Sequence, residues 1–420
     1  MRRVAASAAA LSPALSLVLC LSFVQTPARA QSPHGFELHE ELRFPAGQDT
    51  VSLPFQNWGE HILIPVSVNG GRPLQMVFDT GMPSPGVLLY EGTLVDSLRL
   101  SYAPMRVRVG GAGGAGAPSE ARVAMGVRLG AGALEIAGSV AIVMPPTPQM
   151  SGLHDGIIGA SLFQDMVVTV DHDRGVMTLT RRSAFKPSVG ATEVKLDLVG
   201  RHAYVPAGLV GMNGKVTQLQ LILDLGATHA VSLSRNTSPA IVAPANSRST
   251  RIGRGMSGAM SGLVGRIPGL ELGGHRLSNV VATFPDSAFE NPRGLDQRNG
   301  NLGGGVLGHF NVSLDLGGSR MFVTPNHRFF EPFEWDMTGL VFDMGDGGEI
   351  TVAEVLADSP AEAARIVPGA VLLAVDGERA VPRDLLRSRQ RFREPGREVA
   401  LTLRENGQER VVKLKLRRLV

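Results

Sequence analysis

Residues 74–81 read LQMVFDTG, and residues 219–226 repeat the pattern as LQLILDLG. In each copy an apolar run leads into an aspartate, Asp79 or Asp224, and a glycine follows two positions later. Each copy also follows an Asn-Gly pair of the kind that closes a tight hairpin. Because glycine allows a sharp turn, each apolar strand can end by turning its carboxylate out of the interior. The repeat therefore predicts two buried strands that each present one carboxylate.

The two carboxylates gain a chemical role if their turns face each other. Two carboxylates in contact cannot both ionise, so the pair shares a proton. The ionised member can activate a water molecule, and the neutral member can donate a proton to a carbonyl oxygen. Asp79 and Asp224 are therefore the candidate catalytic residues.

A glycine-bounded apolar motif lies downstream of each copy, as GIIG at residues 156–159 and GVLG at residues 305–308. The motif ends 80 residues after the first aspartate and 84 residues after the second. These four correlated motifs resemble those of bacterial retropepsin-like aspartic proteases with two lobes in one chain. The resemblance implies a mainly β fold of two duplicated retropepsin-like β-barrel lobes related by a pseudo-two-fold axis. It also implies an aspartic-type endopeptidase whose substrate is a polypeptide.

In that family, the hydroxyl residue after each aspartate reaches the opposite loop, and the downstream motif packs beside the aspartate loop. Carried onto this chain, the resemblance implies supporting roles for Thr80, Gly81, Leu225, Gly226, Ile158, Gly159, Leu307 and Gly308. Thr80 has the hydroxyl that this bridge needs, whereas Leu225 does not. Two alternatives therefore stay open: a non-catalytic peptide-binding pseudoprotease, or a homodimer that pairs Asp79 of two chains.

The residues after the two glycines bear on the working pH. Met82 and Ala227 have no hydroxyl that could stabilise the ionised carboxylates and so lower their pKa. We therefore expect cleavage at weakly acid to neutral pH rather than in strong acid.

The sequence pattern changes near residue 331. The segments TGLVF (338–342), TVAEV (351–355), SPAEAA (359–364) and LLAVDG (372–377) follow one another in an order that resembles a PDZ domain. The resemblance implies that main-chain N–H groups near Gly339, Leu340 and Val341 take the terminal carboxylate of a peptide that adds as a strand. Val341 stands where a second glycine is usual, and Ala370 stands where an aspartate is common.

The N-terminus has the layout of a secretory signal peptide. Arg2 and Arg3 precede an apolar run, and Ala28-Arg29-Ala30 resembles a small-residue cleavage site. Cleavage after Ala30 predicts a periplasmic or secreted protein. The single cysteine, Cys20, is removed with the signal, and the bulky residue before it argues against a lipoprotein. The predicted division is 1–30 signal peptide, 31–185 first lobe, 186–330 second lobe and 331–420 PDZ domain.

Charge and spacing exclude several other functions. The chain has 41 basic and 38 acidic residues, and removal of the signal with its three arginines leaves 38 of each, without the basic excess of a nucleic-acid-binding protein. No later apolar run is long enough to span a membrane. The polar turn at 171–175 lacks further ligands at metal-like spacing, so we expect no metal and no cofactor.

A glycine run at residues 110–116 contains the pattern GxGxxG, which invites a nucleotide-binding interpretation. Pro118 and a strand-like segment follow it, whereas a nucleotide site requires a helix there. The alternatives are a flap hairpin that covers the cleft, as in proteases of this type, and a plain surface loop.

Overall fold

The structure is a computed structural model that describes residues 40–82, 84, 86–110, 119–146, 153–255, 258–286, 298–345 and 348–420. The predicted signal peptide, Cys20 and most of the glycine run at 110–116 lie outside these residues. The described chain is mainly β, as predicted, and none of its helices is long and apolar enough to cross a membrane.

A nine-stranded sheet forms the first lobe and carries Asp79. Its strands follow the order β1-β9-β6-β10-β5-β4-β8-β7, with β3 beside β4 and a further pairing between β8 and β9. The strands of the first part of the chain are β1 (Glu41–Arg43), β2 (Thr50–Pro54), β3 (Gln56–Trp58), β4 (His61–Val68), β5 (Leu74–Asp79), β6 (Val87–Tyr90), β7 (Tyr102–Val109), β8 (Ser119–Ala131), β9 (Leu134–Met144), β10 (Gly156–Gly159), β11 (Met166–Asp171) and β12 (Val176–Arg181). A short helix, α1 (Thr93–Asp96), follows β6.

The second lobe repeats this topology in an eight-stranded sheet, ordered β14-β15-β16-β21-β17-β20-β19-β18 with a further β15–β19 pairing. Its part of the chain contains β13 (Thr192–Lys195), β14 (Asp197–Val199), β15 (His202–Val210), β16 (Val216–Asp224), β17 (Val231–Leu233), β18 (Arg248–Gly255), β19 (Gly258–Leu272), β20 (His275–Pro285), β21 (Gly300–Gly303), β22 (Phe310–Asp315) and β23 (Arg320–Pro325), with α2 (Gly304–Leu307) after β21. The path β4-β5-β10-β6-β9-β8-β7 corresponds strand for strand to β15-β16-β21-β17-β20-β19-β18. This correspondence confirms the duplicated architecture.

A six-stranded sheet joins the two lobes in the order β13-β23-β22-β11-β12-β2. At its centre β11 pairs antiparallel with β22, and the hydroxyls of Thr169 and Ser313 lie 2.9 Å apart across this pair. One continuous hydrophobic core extends through both lobes. The shared sheet and core fix how the two aspartate strands face each other.

The third part of the chain has its own sheet and its own hydrophobic core. Its strands, ordered β24-β25-β26-β28-β29 with β27 beside β26, are β24 (Leu340–Met344), β25 (Ile350–Val355), β26 (Val371–Val375), β27 (Glu378–Arg379), β28 (Glu398–Glu405) and β29 (Gln408–Lys415). Its helices are α3 (Pro360–Ala363) and α4 (Pro382–Gln390). Among the described strands, β24 pairs with β25 alone and so forms an edge of this sheet.

The third part of the chain is held to the β18–β19 hairpin of the second lobe by arginine–carboxylate pairs. Arg251 and Arg254 on β18 reach Asp343 on β24, at 3.1 and 2.7 Å. Glu354 on β25 accepts a hydrogen bond from the Thr250 hydroxyl at 3.3 Å. The hairpin therefore packs against the sheet through matched charges.

A second contact joins the third part of the chain to the first lobe. The indole N–H of Trp58 donates to the carbonyl oxygen of Arg383 at the start of α4. The adjacent Glu60 side chain, which is largely buried, accepts from Arg393 at 3.2 Å. The same domain thus contacts both lobes.

Candidate active site

Asp79 lies at the C-terminal end of β5, where the apolar strand emerges from the core. The Oδ1 atom of Asp79 accepts hydrogen bonds from the main-chain N–H groups of Gly81, at 2.7 Å, and Met82, at 3.0 Å. On its other side β10 runs parallel to β5, and Gly159 is in register with Asp79. Ile158 is fully buried beneath this turn. The first aspartate loop is therefore held by the N–H of Gly81 and flanked by the strand that carries Ile158 and Gly159.

Asp224 occupies the equivalent end of β16 in the second lobe. Its flanking parallel strand is β21, in which Gly303 is in register with Asp224. The side chain of Asn301 on β21 donates from Nδ2 to Oδ2 of Asp224 at 2.9 Å. The second carboxylate is thus held by a side-chain amide from the neighbouring strand.

The two aspartate loops pack against each other within one chain. A Cβ atom built on Gly226 would lie 2.2 Å from Cγ of Asp79, and one built on Gly81 would lie 2.8 Å from Cγ of Asp224. Each carboxylate therefore rests on the main chain of the opposite loop, where only glycine fits. The structure brings Asp79, Gly81, Asp224 and Gly226 together.

A buried hydroxyl links the loops in one direction. The Oγ1 atom of Thr80 donates to the carbonyl oxygen of Leu223 at 2.7 Å and accepts from the N–H of Leu225 at 2.8 Å. The side chain of Leu225 is itself buried, with 1% of its surface exposed, but it has no polar atom to return the bridge. The connection between the loops is therefore asymmetric.

The electrostatics of the pair follow from this close approach. Burial, together with the nearby charge of Asp224, raises the pKa of Asp79 to about 7 against the opposing effect of its two N–H donors. Burial lowers the pKa of His229, and this effect outweighs the opposing effect of the nearby charge of Asp224. The pair can therefore hold one proton at weakly acid pH.

Aromatic and histidine rings extend from the Asp79 side of the site. Burial first, and then the charge of Asp79, raises the pKa of Tyr90, whose hydroxyl has no hydrogen-bond partner among the described residues. The Tyr90 ring lies 5.6 Å from that of His154, which lies 6.2 Å from the Trp58 ring. Trp58 in turn stacks on His61, and burial lowers the pKa of His61 to about 4. The four rings therefore form one contiguous group of contacts in the first lobe.

The downstream motif of the second lobe requires a correction. The strand beside Asp224 is Gly300–Gly303, whereas the predicted GVLG at 305–308 forms α2 and its C-terminal residue. Leu307 and Gly308 therefore follow the supporting strand and are not part of it. Gly303 lies 79 residues after Asp224, closer to the 80-residue spacing of the first lobe than the predicted 84. Asn301 interrupts the apolar pattern of this strand, so the sequence pattern indicates GVLG, which begins five residues later.

Two residues of the site were missed by sequence reasoning. Asn301 lies 77 residues from the carboxylate it contacts, and only the corrected spacing would have indicated it. Tyr90 ends an apolar strand, and nothing in the local pattern distinguishes it from a core residue.

Each lobe contains one long hairpin. β7 pairs with β8 around the glycine run, and β18 pairs with β19 around residues 256 and 257. The tip of the first hairpin, residues 111–118, lies outside the described residues. In the part of the chain that the structure describes, no group of three or more His, Cys, Asp or Glu side chains could hold a metal ion.

The predicted peptide-binding loop lies at the start of β24. Gly339 has a φ of 79°, and a Cβ there would lie 2.1 Å from Cβ of Ser359, so the loop requires glycine. The N–H of Leu340 donates to the hydroxyl of Thr338 at 3.0 Å. Val341 lies at a bulge between β24 and β25. One of the predicted carboxylate-binding N–H groups is thus already paired within the loop.

Comparisons with known proteins agree with this architecture. Residues 64–162 match the family model described as aspartyl protease, and residues 337–404 match the PDZ domain. No curated protein sequence matches the chain significantly.

Solved structures give distant matches. The aspartic proteinase from Irpex lacteus is 13% identical, with 67% of this chain and 99% of that chain covered and a TM-score of 0.45. The Basic 7S globulin from soybean is 11% identical, with 68% and 97% covered and a TM-score of 0.39.

Proposed function

We propose that this chain, a retropepsin-like aspartyl protease with a C-terminal PDZ domain, is an endopeptidase that uses Asp79 and Asp224 as its catalytic dyad. The observation that carries the proposal is the reciprocal packing of the loops, in which Gly226 underlies Asp79 and Gly81 underlies Asp224. These two contacts support a pairing of the carboxylates within one polypeptide, which would supply both acids that peptide hydrolysis needs.

The dyad would act on a water molecule held between the carboxylates. The ionised carboxylate takes a proton from the water as it attacks the peptide carbonyl carbon, and the neutral carboxyl donates its proton to the carbonyl oxygen. The carboxyl that took the proton from the water then gives it to the amide nitrogen, while the other carboxylate takes a proton from a hydroxyl of the tetrahedral intermediate. The C–N bond breaks, and the nitrogen leaves as an amine. Because the two carboxyls share one proton, the roles of general base and general acid belong to the pair and are not assigned to Asp79 or Asp224 individually.

A pseudoprotease is the second candidate, and the buried Leu225 favours it. Without a hydroxyl at this position the second loop does not bridge back to the first, and a 1 Å displacement of a reacting group can cost about 10²-fold in rate. The lobes would then bind an extended peptide without cleaving it. The homodimeric alternative has less support, because Asp79 already faces Asp224 of its own chain.

Cleavage of an unstructured protein by the purified chain tests the proposal. We would compare the wild type with Asp79→Asn and Asp224→Asn between about pH 4 and pH 8. Asp197→Asn, a change at an exposed position on β14, serves as the matched control. The dyad predicts that the wild type and the control cleave and that both dyad variants are inactive. Peptide binding without cleavage by the wild type would instead establish the pseudoprotease.

The PDZ domain is proposed to recruit or regulate the substrate. Among the described strands its edge strand β24 pairs only with β25, and an extended peptide such as a substrate C-terminus would pair along the other edge, next to the contacts of Arg251 and Arg254 with Asp343. The paired N–H of Leu340 means that a terminal carboxylate would have to displace the Thr338 hydroxyl. Measurement of binding by one peptide with a free and with an amidated C-terminus distinguishes terminal from internal recognition.

Export to the periplasm or the medium is also proposed, on the basis of the predicted signal peptide alone. The expected mature N-terminus is Gln31. N-terminal sequencing of the protein recovered from the periplasmic fraction tests it, and an uncleaved Met1 in the cytoplasm would contradict it.

A further inference from the structure

We propose that Asn301 is a positioning residue for the dyad, which holds the carboxylate of Asp224 in its catalytic orientation. This inference rests on the proposed function, because it concerns the same carboxylate pair. The observation behind it is the hydrogen bond of 2.9 Å from Nδ2 of Asn301 to Oδ2 of Asp224. An amide that donates to a carboxylate stabilises the ionised form over the neutral one.

The duplication shows that this contact is specific to the second lobe. Asn301 is in register with Ile222, two residues before Asp224, and Ile157 is in register with Val77, two residues before Asp79. Asn301 and Ile157 are therefore pseudo-two-fold equivalents, and only the second lobe places an amide at this position. Had the strand served packing alone, an apolar residue would have been sufficient, as it is in the first lobe.

The carboxylate of Asp224 is supported differently from that of Asp79. Thr80 bridges from the first loop to main-chain atoms of the second, but Leu225 cannot bridge back. The first carboxylate is instead held by the N–H groups of Gly81 and Met82. The contact from Asn301 gives Asp224 a donor that does not depend on a hydroxyl after the aspartate.

The amide is well placed to hold a fixed geometry. Asn301 lies in β21, which is paired on both sides, with β16 and with β17. The main chain of Asn301 also hydrogen-bonds to the ring of His229, which lies in the segment between these two strands. A donor carried by a central strand keeps its orientation better than one carried by a loop.

Other titratable groups face the pair. Asp79 approaches Asp224 from the first loop, and Tyr90 lies near Asp79 at the end of β6. His229 approaches Asp224 from the second lobe, and burial lowers the pKa of its imidazole. In this set the amide of Asn301 is the group that donates a hydrogen bond to Asp224, so we expect its removal to change the acid side of the pH profile.

The test compares Asn301→Leu, which keeps the approximate volume without a donor, with Asn236→Leu, at an exposed residue of the same lobe. We would measure kcat and KM as functions of pH. Loss of a hydrogen bond to a charged group is expected to move the midpoint of the acid limb of the kcat profile to higher pH, by about one pH unit. We expect kcat at the optimum to fall about 10- to 100-fold, with KM nearly unchanged. The control variant should match the wild type.

Three results would overturn the inference: a fall in kcat with the acid limb unmoved, which indicates packing alone; a rise in KM with kcat unchanged; or no effect. If Asn301→Leu fails to fold, the isosteric Asn301→Asp replaces it, with a larger upward shift expected because it adds a like charge. NMR titration of the aspartate carboxyls gives the same comparison without turnover. An inactive wild type would therefore remove the proposed function and still leave the role of Asn301 measurable.

Discussion

The main chain of Gly226 lies directly against the carboxylate of Asp79. A Cβ atom at Gly226 would be 2.2 Å from Cγ and 2.5 and 2.6 Å from the two carboxylate oxygens. These distances are far below van der Waals contact, and the neighbour is a half-buried catalytic candidate that cannot move away without leaving Asp224. The second aspartate loop is thus shaped to receive the first carboxylate.

Gly226→Ala is therefore expected to reduce proteolytic activity at least 100-fold, because the added methyl group separates the two carboxylates. Gly211→Ala, in the surface loop between β15 and β16, provides the control, since its Cβ would meet only a flexible asparagine side chain at 3.2 Å and a carbonyl oxygen at 3.5 Å. The measurement is kcat/KM with thermal unfolding alongside. A fully active Gly226→Ala protein would contradict the described packing.

Thr80→Val removes the bridging hydroxyl and keeps the side-chain shape. We expect kcat to fall about 10- to 100-fold and the free energy of unfolding to fall by about 1–3 kcal/mol, since a buried carbonyl and a buried N–H lose their partner. Thr178→Val, at a hydroxyl that meets Ser52 at the surface, is the matched control. Unchanged activity and stability in Thr80→Val would show that the bridge has no role.

The pH dependence of cleavage follows from the raised pKa of Asp79, which burial and Asp224 bring to about 7. Cleavage requires one proton on the pair, so activity should decline as the pH rises through about 7 and the second carboxyl ionises. The optimum is then weakly acid, in agreement with the expectation from Met82 and Ala227. Initial rates measured across the pH range test this, and an optimum confined to strong acid would contradict it.

The same pKa shift has a consequence for stability. Between the ordinary pKa of aspartate, 3.8, and about 7, the folded chain retains a proton on Asp79 that the unfolded chain has lost. The contribution of Asp79 to the free energy of unfolding therefore decreases as the pH rises through this window. Asp79→Asn should abolish that decrease, so its advantage over the wild type should grow from pH 4 to pH 8. Denaturation curves measured for both proteins at pH 4 and pH 8 test this. An equal difference in the free energy of unfolding at the two pH values would contradict it.

The contact between the PDZ domain and the β18–β19 hairpin can be tested through Asp343, which pairs with Arg251 and Arg254. Asp343→Asn should leave global stability within about 1 kcal/mol, because these ion pairs are partly exposed. It should, however, accelerate hydrogen exchange several-fold in β18. Glu271→Gln, which loses an ion pair with Arg276 away from the PDZ domain, is the control. Equal exchange in both variants would show that the pair does not hold the hairpin.

The sequence predicts the local parts of this structure well and the long-range parts incompletely. Asp79 and Asp224 were identifiable because each ends a continuous apolar strand before a glycine turn. The strand that supports Asp224, β21, could not be identified from the sequence pattern. It pairs with residues of β16 almost 80 positions away, and Asn301 interrupts its apolar pattern. The arginines that contact Asp343 belong to no periodic pattern, so the position of the PDZ domain against both lobes required the structure.

The central claim is that the two carboxylates of one chain form the dyad, and its most direct test is the specific activity of dilute and mixed samples. We predict that wild-type specific activity stays constant over a hundredfold dilution, and that an equimolar mixture of Asp79→Asn and Asp224→Asn proteins is inactive. Specific activity that falls on dilution, or activity that returns on mixing, would show that the carboxylates pair between molecules and would contradict the account.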